Sequence, residues 1–351
     1  MMGPRLDRLL RAGVARWHAA PWQPLRTDLF DGPVPLRLIA SPSSLTHFPD
    51  RLGLKRHGPH EPTSLVTSDL PRILAQALRQ GETVVARLPR PLARRMSGIG
   101  LLVPEMVDAV IDMAEERWQR SRSATSNLRR IREHGLTWRW RTETDAFEQF
   151  YDQCYAPYMR LRHGPDALVR GRFVLRRWFR QGGIQEVRQG ERVLAAQLVA
   201  IHERSLECIA VGVTGDAELA RQTGAVAATT AFAIEFAREQ GLATVNLGGS
   251  LPFRRDPVLL SKSYWGARVV ERQRADHDLL LAWPTWSDPV ADLLGRLAPI
   301  IRGPAGLIGI EVSGLRMLHG LASLPIGAGG LPEDSSHRMA QALDGAAQLS
   351  S

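Results

Sequence analysis

Three strand-like segments in the second half of the chain place the strongest constraint on its fold. They are Ile184–Arg188, Val193–His202 and Ser205–Val213, and they are joined by turns at Gln189–Glu191 and Glu203–Arg204. Turns this short join strands that run in opposite directions, because a parallel connection needs a long crossover. The segments therefore predict an antiparallel meander.

The periodicity of the sequence changes on both sides of this meander. Asp145–Arg162 and Phe173–Arg180 predict two helices before it, and Thr223–Gln240 predicts a long helix after it. Ala243–Leu247 then predicts a buried strand. Two closing strands are predicted at Trp265–Arg272 and Asp278–Trp283. This order predicts an α/β (α+β) domain with a mixed, mainly antiparallel sheet flanked by helices.

The first half of the chain is less regular. A helix is predicted at Ile73–Gln80, a strand at Thr83–Leu88 and a further helix at Pro104–Arg117, whose apolar residues fit a helical spacing. Ser126–His134 predicts another helix, and Leu136–Arg141 alternates as a strand does.

A length of 351 residues predicts two domains, at about 150 residues for each. Four segments are expected: an N-terminal domain at 1–144, the main domain at 145–290, an apolar C-terminal extension at 291–326, and a disordered tail rich in small and polar residues at 327–351.

Several classes of protein are excluded by composition and motifs. Two cysteines, Cys154 and Cys208, cannot build a disulfide framework or a four-ligand zinc site, so a reducing, cytoplasmic location is expected. Neither a secretory signal nor a transmembrane segment is predicted. The apolar run Leu293–Gly330 is interrupted by charges, which leaves open a peripheral contact with a membrane surface. No carboxylate-rich cluster predicts a metal site.

Nearly all the positive charge is carried by arginine. Of 45 lysines and arginines only Lys55 and Lys262 are lysine, and the net charge is +9. Eight arginines stand against one acid in Arg117–Arg141, and seven against one acid in Arg160–Arg180. Such clusters attract phosphates, nucleic acid or anionic head groups. Solvated helix faces in an arginine-rich protein are the alternative.

Six short motifs fit the order of the predicted elements. They are Tyr155-Ala-Pro157, Arg162-His163-Gly164, Gly212 with Asp216, Gly224-Ala225, Asn246-Leu247-Gly248-Gly249-Ser250, and Lys262-x-x-Trp265-Gly266. Together they resemble the GNAT acyltransferase fold in its Fem-like branch, which is related to the enzymes that add amino acids to peptidoglycan precursors. The resemblance covers Tyr155–Gly266, and the last two motifs are the most specific.

The resemblance implies both an architecture and an activity. Family members commonly pair two GNAT-like domains, so residues 1–144 are expected to form a degenerate first copy. The implied activity is N-acyl transfer to an amine, on a small molecule or a peptidoglycan precursor. The donor is left open between acyl-CoA and aminoacyl-tRNA, and tRNA is a partner in the second case.

A phosphate site is predicted where the long helix begins. Arg221-Gln-Thr223-Gly224-Ala225 lies between a strand and that helix, whose free N–H groups and dipole favour an anion. In the family this loop holds the pyrophosphate of coenzyme A, although Val226 departs from the family pattern. The alternative is that Gly224 only permits close packing of the helix.

Lys262 is the residue to which the resemblance assigns transition-state stabilisation. Acyl transfer develops negative charge on the carbonyl oxygen, and a well-placed ammonium stabilises that charge. His163 and Asp216 are candidates for the general base, and a positioned water is the alternative.

Substrate contacts are expected from two places. Tyr151, Tyr155 and Tyr158 recur at helical spacing, a pattern that also suits a core stripe, and Arg162 follows at the C-terminal end of the same helix. Of these, Tyr155, Tyr158 and Arg162 are the expected substrate contacts. The family motifs add substrate-binding positions at Asn246, Gly248, Ser250 and Trp265.

A second hypothesis keeps the fold without the chemistry. In it the chain is an RNA-binding or envelope-scaffold protein whose arginine clusters contact phosphates. Base stacking would fall to the four interleaved tryptophans, Trp118, Trp138, Trp140 and Trp178.

Overall fold

The computed structural model describes residues 25–31, 34–40, 55–56, 63–65, 69–115, 121–163, 167, 169–273, 275–303 and 306–310. Internal packing divides the chain into two units. The first is drawn from residues 1–107, 251–256 and 271–351, and the second from 108–250 and 257–270. The predicted tail at 327–351 lies outside the described residues, and the predicted boundaries at 144, 290 and 326 stay predictions.

The first unit is built on a seven-stranded sheet, with labels that run in chain order through both units. Its strands are β1 (Leu25–Asp31), β2 (Leu36–Ala40), β3 (Lys55–Arg56), β4 (Thr63–Leu65), β5 (Thr83–Pro89), β6 (Leu101–Pro104) and β14 (His277–Ala282), with a separate pair β15 (Ile300–Gly303) and β16 (Gly306–Gly309). Its helices are α1 (Leu70–Arg79), α2 (Arg90–Arg95), a 3-10 turn (Ser97–Ile99) and α10 (Asp288–Leu297).

The sheet of the first unit has the order β3-β1-β2-β5-β14-β6, with β4 also pairing with β1. Only β2 and β5 run parallel in this sheet, and the chain between them forms β3, β4 and α1. Helices α1 and α2 cover one face of this sheet through Leu74 and Leu92. Helix α10 covers the other face through Leu293 and Leu297.

The second unit also contains seven strands in one sheet. They are β7 (Val107–Asp112), β8 (Leu136–Arg141), β9 (Gly182–Gln189), β10 (Arg192–His202), β11 (Ser205–Val213), β12 (Thr244–Ser250) and β13 (Arg268–Glu271). Its helices are α3 (Arg122–Glu133), α4 (Thr144–Gln149), a π-helix (Phe150–Tyr155), α5 (Ala156–His163), α6 (Arg172–Phe179), α7 (Ala217–Thr223), α8 (Ala225–Glu239) and α9 (Pro257–Ser263).

The sheet of the second unit has the order β13-β7-β12-β11-β10-β9-β8. Strands β8 to β11 are antiparallel, as the predicted meander requires, and β11 runs parallel to β12. Helices α3 and α8 pack on one face, and α4, the π-helix, α5 and α6 pack on the other. The predicted mixed sheet flanked by helices is confirmed.

Each sheet takes one of its inner strands from a distant part of the sequence. Strand β14 lies between β5 and β6, and β7 lies between β12 and β13. The predicted helix at Pro104–Arg117 is therefore wrong, because Val107, Ala109 and Ile111 alternate toward the core of a strand that is paired on both sides. The predicted closing strands do form as β13 and β14, but they belong to different sheets.

The wide turn between α4 and α5 is fixed by a close contact with β11. A Cβ added to Gly212 would lie 2.5 Å from the backbone nitrogen of Tyr155, so only glycine fits at this position. The π-helix lies directly before Pro157, which has no N–H to donate to the preceding turn. The helical path nevertheless continues to His163.

Candidate functional site

The parallel strands β11 and β12 part soon after they begin. They pair from Ser205 to Glu207 on β11 and from Thr244 to Asn246 on β12, although the strands continue to Val213 and Ser250. Beyond these positions, the part of the chain that the structure describes shows no further pairing between the two strands. An opening with unpaired strand edges therefore lies between them, where a ligand's polar groups can bind.

The ammonium of Lys262 lies at the end of β12. Its Nζ donates to the carbonyl oxygens of Gly248 at 2.7 Å and Gly249 at 2.9 Å, and to Ser250 Oγ at 3.1 Å. Gly248 has a φ of +78°, and its N–H donates to Asn246 Oδ1 at 2.8 Å. This turn presents the two carbonyl groups to the lysine, so the two most specific sequence motifs meet in space.

Trp265 fixes the helix that carries Lys262. Its side chain is buried, and its backbone N–H donates to the Lys262 carbonyl oxygen at 3.0 Å. Gly266 follows with a φ of +75° and ends the helical turn. The structure thus places the predicted substrate residue Trp265 in the core, where it orients α9.

The start of α8 is the second part of the site. Gly224 has a φ of +76° and separates α7 from α8. A Cβ at Gly224 would lie 3.1 Å from Cδ of Arg130, which reaches over from α3. A cation at the positive end of a fifteen-residue helix is unfavourable by itself, and an anion bound between the two removes that penalty.

Arg130 was missed by sequence reasoning. It stands in the arginine cluster 117–141, but nothing in the pattern distinguishes it from its neighbours Arg129 and Arg132. Only the packing of α3 against α8 brings it to Gly224.

The other residues of the predicted phosphate loop have local roles. Arg221 donates to Glu218 at 2.8 Å, and this exposed pair lowers the pKa of Glu218 to about 2. The Thr223 hydroxyl donates to the Leu219 carbonyl oxygen at 2.8 Å, and Ala225 is fully buried. Backbone N–H groups of α8, rather than these side chains, are therefore the groups that can meet an anion.

The two candidates for the general base lie away from Lys262 in sequence and have different surroundings. Asp216 caps α7, because its Oδ1 accepts from the Leu219 N–H at 2.8 Å. His163 is the last residue of α5, and its side chain lies outside the described residues. A base role for either residue stays a prediction.

The tyrosine stripe divides between core and surface. Tyr155 is buried, its hydroxyl accepts from the Arg170 N–H at 3.0 Å, and burial raises its pKa. Tyr158 is half-buried and accepts from the exposed Arg162 at 2.9 Å. Of the three predicted substrate-binding residues on this helix, Tyr158 and Arg162 are therefore the ones that reach solvent.

Neither cysteine is suited to nucleophilic catalysis. Burial raises the pKa of Cys154 to about 12. It also raises the pKa of Cys208 to about 12, although a hydrogen bond from Gln197 and the charge of Lys262 act in the opposite direction. Because the thiolate is the reactive form, both thiols are inert near neutral pH.

The tryptophans of the RNA-binding hypothesis already have intramolecular partners. Trp140 stacks on Phe236 with a centroid distance of 4.4 Å, and Trp138 packs edge-on against the same ring at 5.9 Å. Trp178 packs against the core beneath α6, and Trp118 lies outside the described residues. Base stacking on the three described tryptophans would need these contacts to be replaced.

Two further features of the described residues concern metal ions and membranes. Across the described residues, no three His, Cys, Asp or Glu side chains come close enough together to hold a metal ion. No helix in that same part of the chain has the length and apolar character needed to cross a membrane.

Comparison with known proteins gives similarity to solved structures only. No protein-family model matches the chain, and no curated protein is similar to it. FemX is 12% identical over 79% of this chain and 88% of its own, with a TM-score of 0.39. L-PGS from Bacillus licheniformis is 12% identical over 76% and 84%, with a TM-score of 0.36.

A third similar structure is the tandem GNAT protein from the clavulanic acid biosynthesis pathway. It is 11% identical over 73% of this chain and 77% of its own, with a TM-score of 0.29. With TM-scores below 0.5, none of these similarities carries an inference about the reaction.

Proposed function

We propose that this chain is an N-acyltransferase that moves an acyl or aminoacyl group onto an amine. The observation that carries the proposal is the position of Lys262, whose ammonium lies at the end of β12, the strand that borders the opening. The carbonyl dipoles of Gly248 and Gly249 hold the ammonium in place at this end of the strand.

The reaction is a direct transfer. The amine nitrogen attacks the carbonyl carbon of the donor, a C–N bond forms, and the bond to the leaving sulfur or ribose oxygen breaks. The proton released by the amine passes to the leaving group, directly or through water. The inert thiols of Cys154 and Cys208 support a route without a covalent cysteine intermediate.

Lys262 stabilises the oxygen on which negative charge develops. Of its hydrogen bonds to Gly248, Gly249 and Ser250, the longest, 3.1 Å, is to Ser250 Oγ, and a hydroxyl can rotate away more easily than a backbone carbonyl can move. The developing oxyanion then accepts the N–H that Ser250 releases. Ser250 is buried, so this exchange takes place away from bulk water.

The donor's phosphates bind at the start of α8 in this proposal. Because Gly224 has no side chain, the aliphatic part of Arg130 lies against the helix terminus, and its guanidinium supplies a positive charge there. Acyl-CoA and aminoacyl-tRNA both carry phosphates, so both donors remain candidates. The acceptor amine belongs to a small molecule or a peptidoglycan precursor.

Substitution of Lys262 tests the chemical step. The full-length protein is assayed with an acetyl-CoA and an aminoacyl-tRNA panel against a set of primary amines. Lys262→Ala is expected to lower the transfer rate by about a hundredfold to a thousandfold, the usual effect of losing one oxyanion donor. Ser261→Ala, on the same helix with its hydroxyl donating to Val258, is the matched control and keeps full activity. Turnover retained in Lys262→Ala contradicts the proposal.

Substitution of Arg130 tests the phosphate site separately. Arg130→Gln is expected to weaken binding of coenzyme A or tRNA about tenfold, because one charge-assisted contact is lost. Arg129→Gln is the control, since Arg129 is exposed and pairs with Glu133 at 3.5 Å. If tRNA binds with a steep salt dependence and no donor is turned over, the chain keeps the fold without the chemistry.

A further inference from the structure

Two tyrosine hydroxyls hold the backbone of Arg170, which lies in the connection between α5 and α6. The N–H of Arg170 donates to the Tyr155 hydroxyl at 3.0 Å, and the Tyr151 hydroxyl donates to the Arg170 carbonyl oxygen at 3.2 Å. Tyr155 is buried, and the ring centroids of the two tyrosines lie 5.9 Å apart. The π-helix that carries both tyrosines therefore fixes the position of Arg170.

The side chain of Arg170 reaches across to β11. Its guanidinium donates to the Ile209 carbonyl oxygen at 3.1 Å. Ile209 is the extra residue of a bulge, because its neighbours Cys208 and Ala210 pair with consecutive residues of β10. Bulges bend a strand, change the direction of its groups and are common next to active sites.

This bulge borders the opening between β11 and β12, across from the strand end that holds Lys262. The carbonyl oxygen of Cys208, the residue before Ile209, lies 3.0 Å from the position of a Cβ added to Gly248. The carbonyl oxygen of Gly248 in turn accepts from Lys262. Arg170 and Lys262 are thus two cations held by backbone carbonyl groups of the two strands that border the opening.

The charge of Arg170 is not paired within the part of the chain that the structure describes. The side chain is exposed and makes no ion pair with a described residue. Glu207, the acidic residue of β11, accepts instead from the Ser205 hydroxyl at 2.8 Å. Arg172, two residues further along, is by contrast paired with two carboxylates. Since a guanidinium has five N–H groups, Arg170 keeps donors with which it can bind a carboxylate or a phosphate through two hydrogen bonds.

We propose that Arg170 binds an anionic group, a carboxylate or a phosphate, on the acceptor amine. This inference rests on the proposed transfer reaction. The donor's phosphates are assigned there to the start of α8, which packs on one face of the sheet, whereas Val169 beside Arg170 packs with the helices on the other face. An acceptor held by Arg170 therefore approaches the opening from the face opposite to the donor, an arrangement that suits direct attack in a complex of both substrates.

Acceptor specificity tests the proposal. The full-length protein is assayed with pairs of primary amines that differ in one anionic group, alanine against alaninamide and phosphoethanolamine against ethanolamine. The original chain is expected to prefer the anionic member of one pair, and the two pairs distinguish a carboxylate from a phosphate. Arg170→Gln is expected to raise KM for that acceptor about tenfold to hundredfold, because a charge-assisted contact is lost. The KM of the donor, the KM of the neutral amine and kcat are expected to stay nearly unchanged.

Two further variants separate recognition from support of the fold. Arg170→Glu is expected to reverse the preference, so that the neutral amine becomes the better acceptor, which the loss of a structural contact does not do. Arg177→Gln is the control, since Arg177 is an exposed arginine of α6 that makes no ion pair with another described residue. Because both substituted side chains are exposed, the variants are expected to unfold close to the temperature of the original chain.

Three results overturn the proposal. An equal loss of activity with anionic and neutral acceptors in Arg170→Gln assigns Arg170 to support of the bulge at Ile209. A raised KM for the donor, with the KM of the acceptor unchanged, assigns Arg170 to the donor's phosphates. Equal use of both members of each pair by the original chain shows that no anionic group is recognised.

Ligand binding distinguishes a failure of this proposal from a failure of the proposed reaction. The unfolding temperatures of the original chain and of Arg170→Gln are measured with each amine in excess and without donor. If no amine is acylated, but an anionic amine raises the unfolding temperature of the original chain and not that of the variant, the reaction is wrong and the anion site at Arg170 stands. If no amine is acylated and none raises the unfolding temperature, both proposals are wrong.

Discussion

Both units contain a parallel pair of strands, and the two pairs differ in how far they remain paired. In the first unit β2 and β5 pair over Leu36–Ile39 and Thr83–Ala86, four of the five residues of β2. In the second unit β11 and β12 pair at only three positions, although the strands contain nine and seven residues. A parallel pair thus stays closed in one unit and opens in the other, and the opening is where the candidate site lies.

Both units hold buried carboxylates in ion pairs, and the second unit also orients a cation with backbone oxygens. In the first unit Asp278 accepts from Arg302 at 2.8 Å. In the second unit Glu186 accepts from Arg188 at 2.8 Å, and the ammonium of Lys262 donates to carbonyl and hydroxyl oxygens at the end of β12. Ion pairs of the first kind support structure, whereas carbonyl and hydroxyl dipoles orient a cation without adding an opposing charge.

The largest effect is expected where an ion pair of the first unit is broken. Asp278→Ala removes the buried carboxylate that Arg302 and Arg90 share, leaves them paired with the more exposed Glu271, and is expected to lower the free energy of unfolding by about 3 kcal/mol. This value is at the low end for buried pairs because the two arginine side chains are 32% and 27% exposed. Urea unfolding measures it. A loss of transfer activity in the folded variant, without a loss of stability, would reverse the roles assigned to the two units.

The second-largest effect is expected on the transfer rate, from a substitution that keeps the charge of Lys262 and changes its shape. Lys262→Arg keeps the positive charge but replaces a compact ammonium by a planar guanidinium, which cannot meet the same three acceptors. A tenfold to hundredfold loss in transfer rate is expected, about the cost of a misplaced catalytic group. Lys55→Arg, the change at the only other lysine, is the control and leaves the rate unchanged. Full activity in Lys262→Arg would show that only the charge matters.

A smaller effect is expected at the start of α8. Gly224→Ala and Gly135→Ala both force alanine into left-handed backbone, with φ of +76° and +57°, which costs about 1 kcal/mol each. Only Gly224 also faces a side chain, Arg130, so its substitution is expected to cost about 1 kcal/mol more. Thermal or urea unfolding of the two variants measures the difference. Equal losses would mean that Arg130 moves away freely.

The smallest effect is expected on the pH dependence of the free energy of unfolding, through a histidine of the first unit. Burial and the charge of Arg87 lower the pKa of His277 below its usual 6.5, so the unfolded chain binds a proton more readily there than the folded chain does. Stability from this group is therefore present above the unfolded pKa of 6.5 and falls as the pH drops through it, by at most about 0.7 kcal/mol between pH 7 and 6. His277→Gln is expected to remove this part of the pH dependence in urea unfolding. An unchanged slope would assign it to other groups.

Local patterns were sufficient to predict the elements around the site. The meander has turn residues at Gly190 and Glu203, both with positive φ, so its register follows from sequence. The long helix α8 and the strand β12 also lie close to their predicted positions. Each of these elements has its own apolar periodicity and its own turn or capping residues, which is why the sequence predicts it.

Features set by distant residues were not predictable in the same way. The sequence of β7 predicts a helix, and only its pairing with β12 and β13 shows that it is a strand. Arg130 gains its position only from the packing of α3 on α8. The hydrogen bonds of Lys262 to Gly248 and Gly249 are implied by no spacing rule, although the resemblance had singled out both motifs.

The inner position of β14 has a consequence for the ribosome-bound chain. The sheet of the first unit has a gap between β5 and β6 until residues His277–Ala282 have been synthesised, long after β6 itself at Leu101–Pro104. At about 5 to 20 residues per second, that interval is on the order of ten to forty seconds. Throughout this interval the facing edges of β5 and β6 are unpaired, so the nascent chain is prone to aggregation and is a substrate for chaperones.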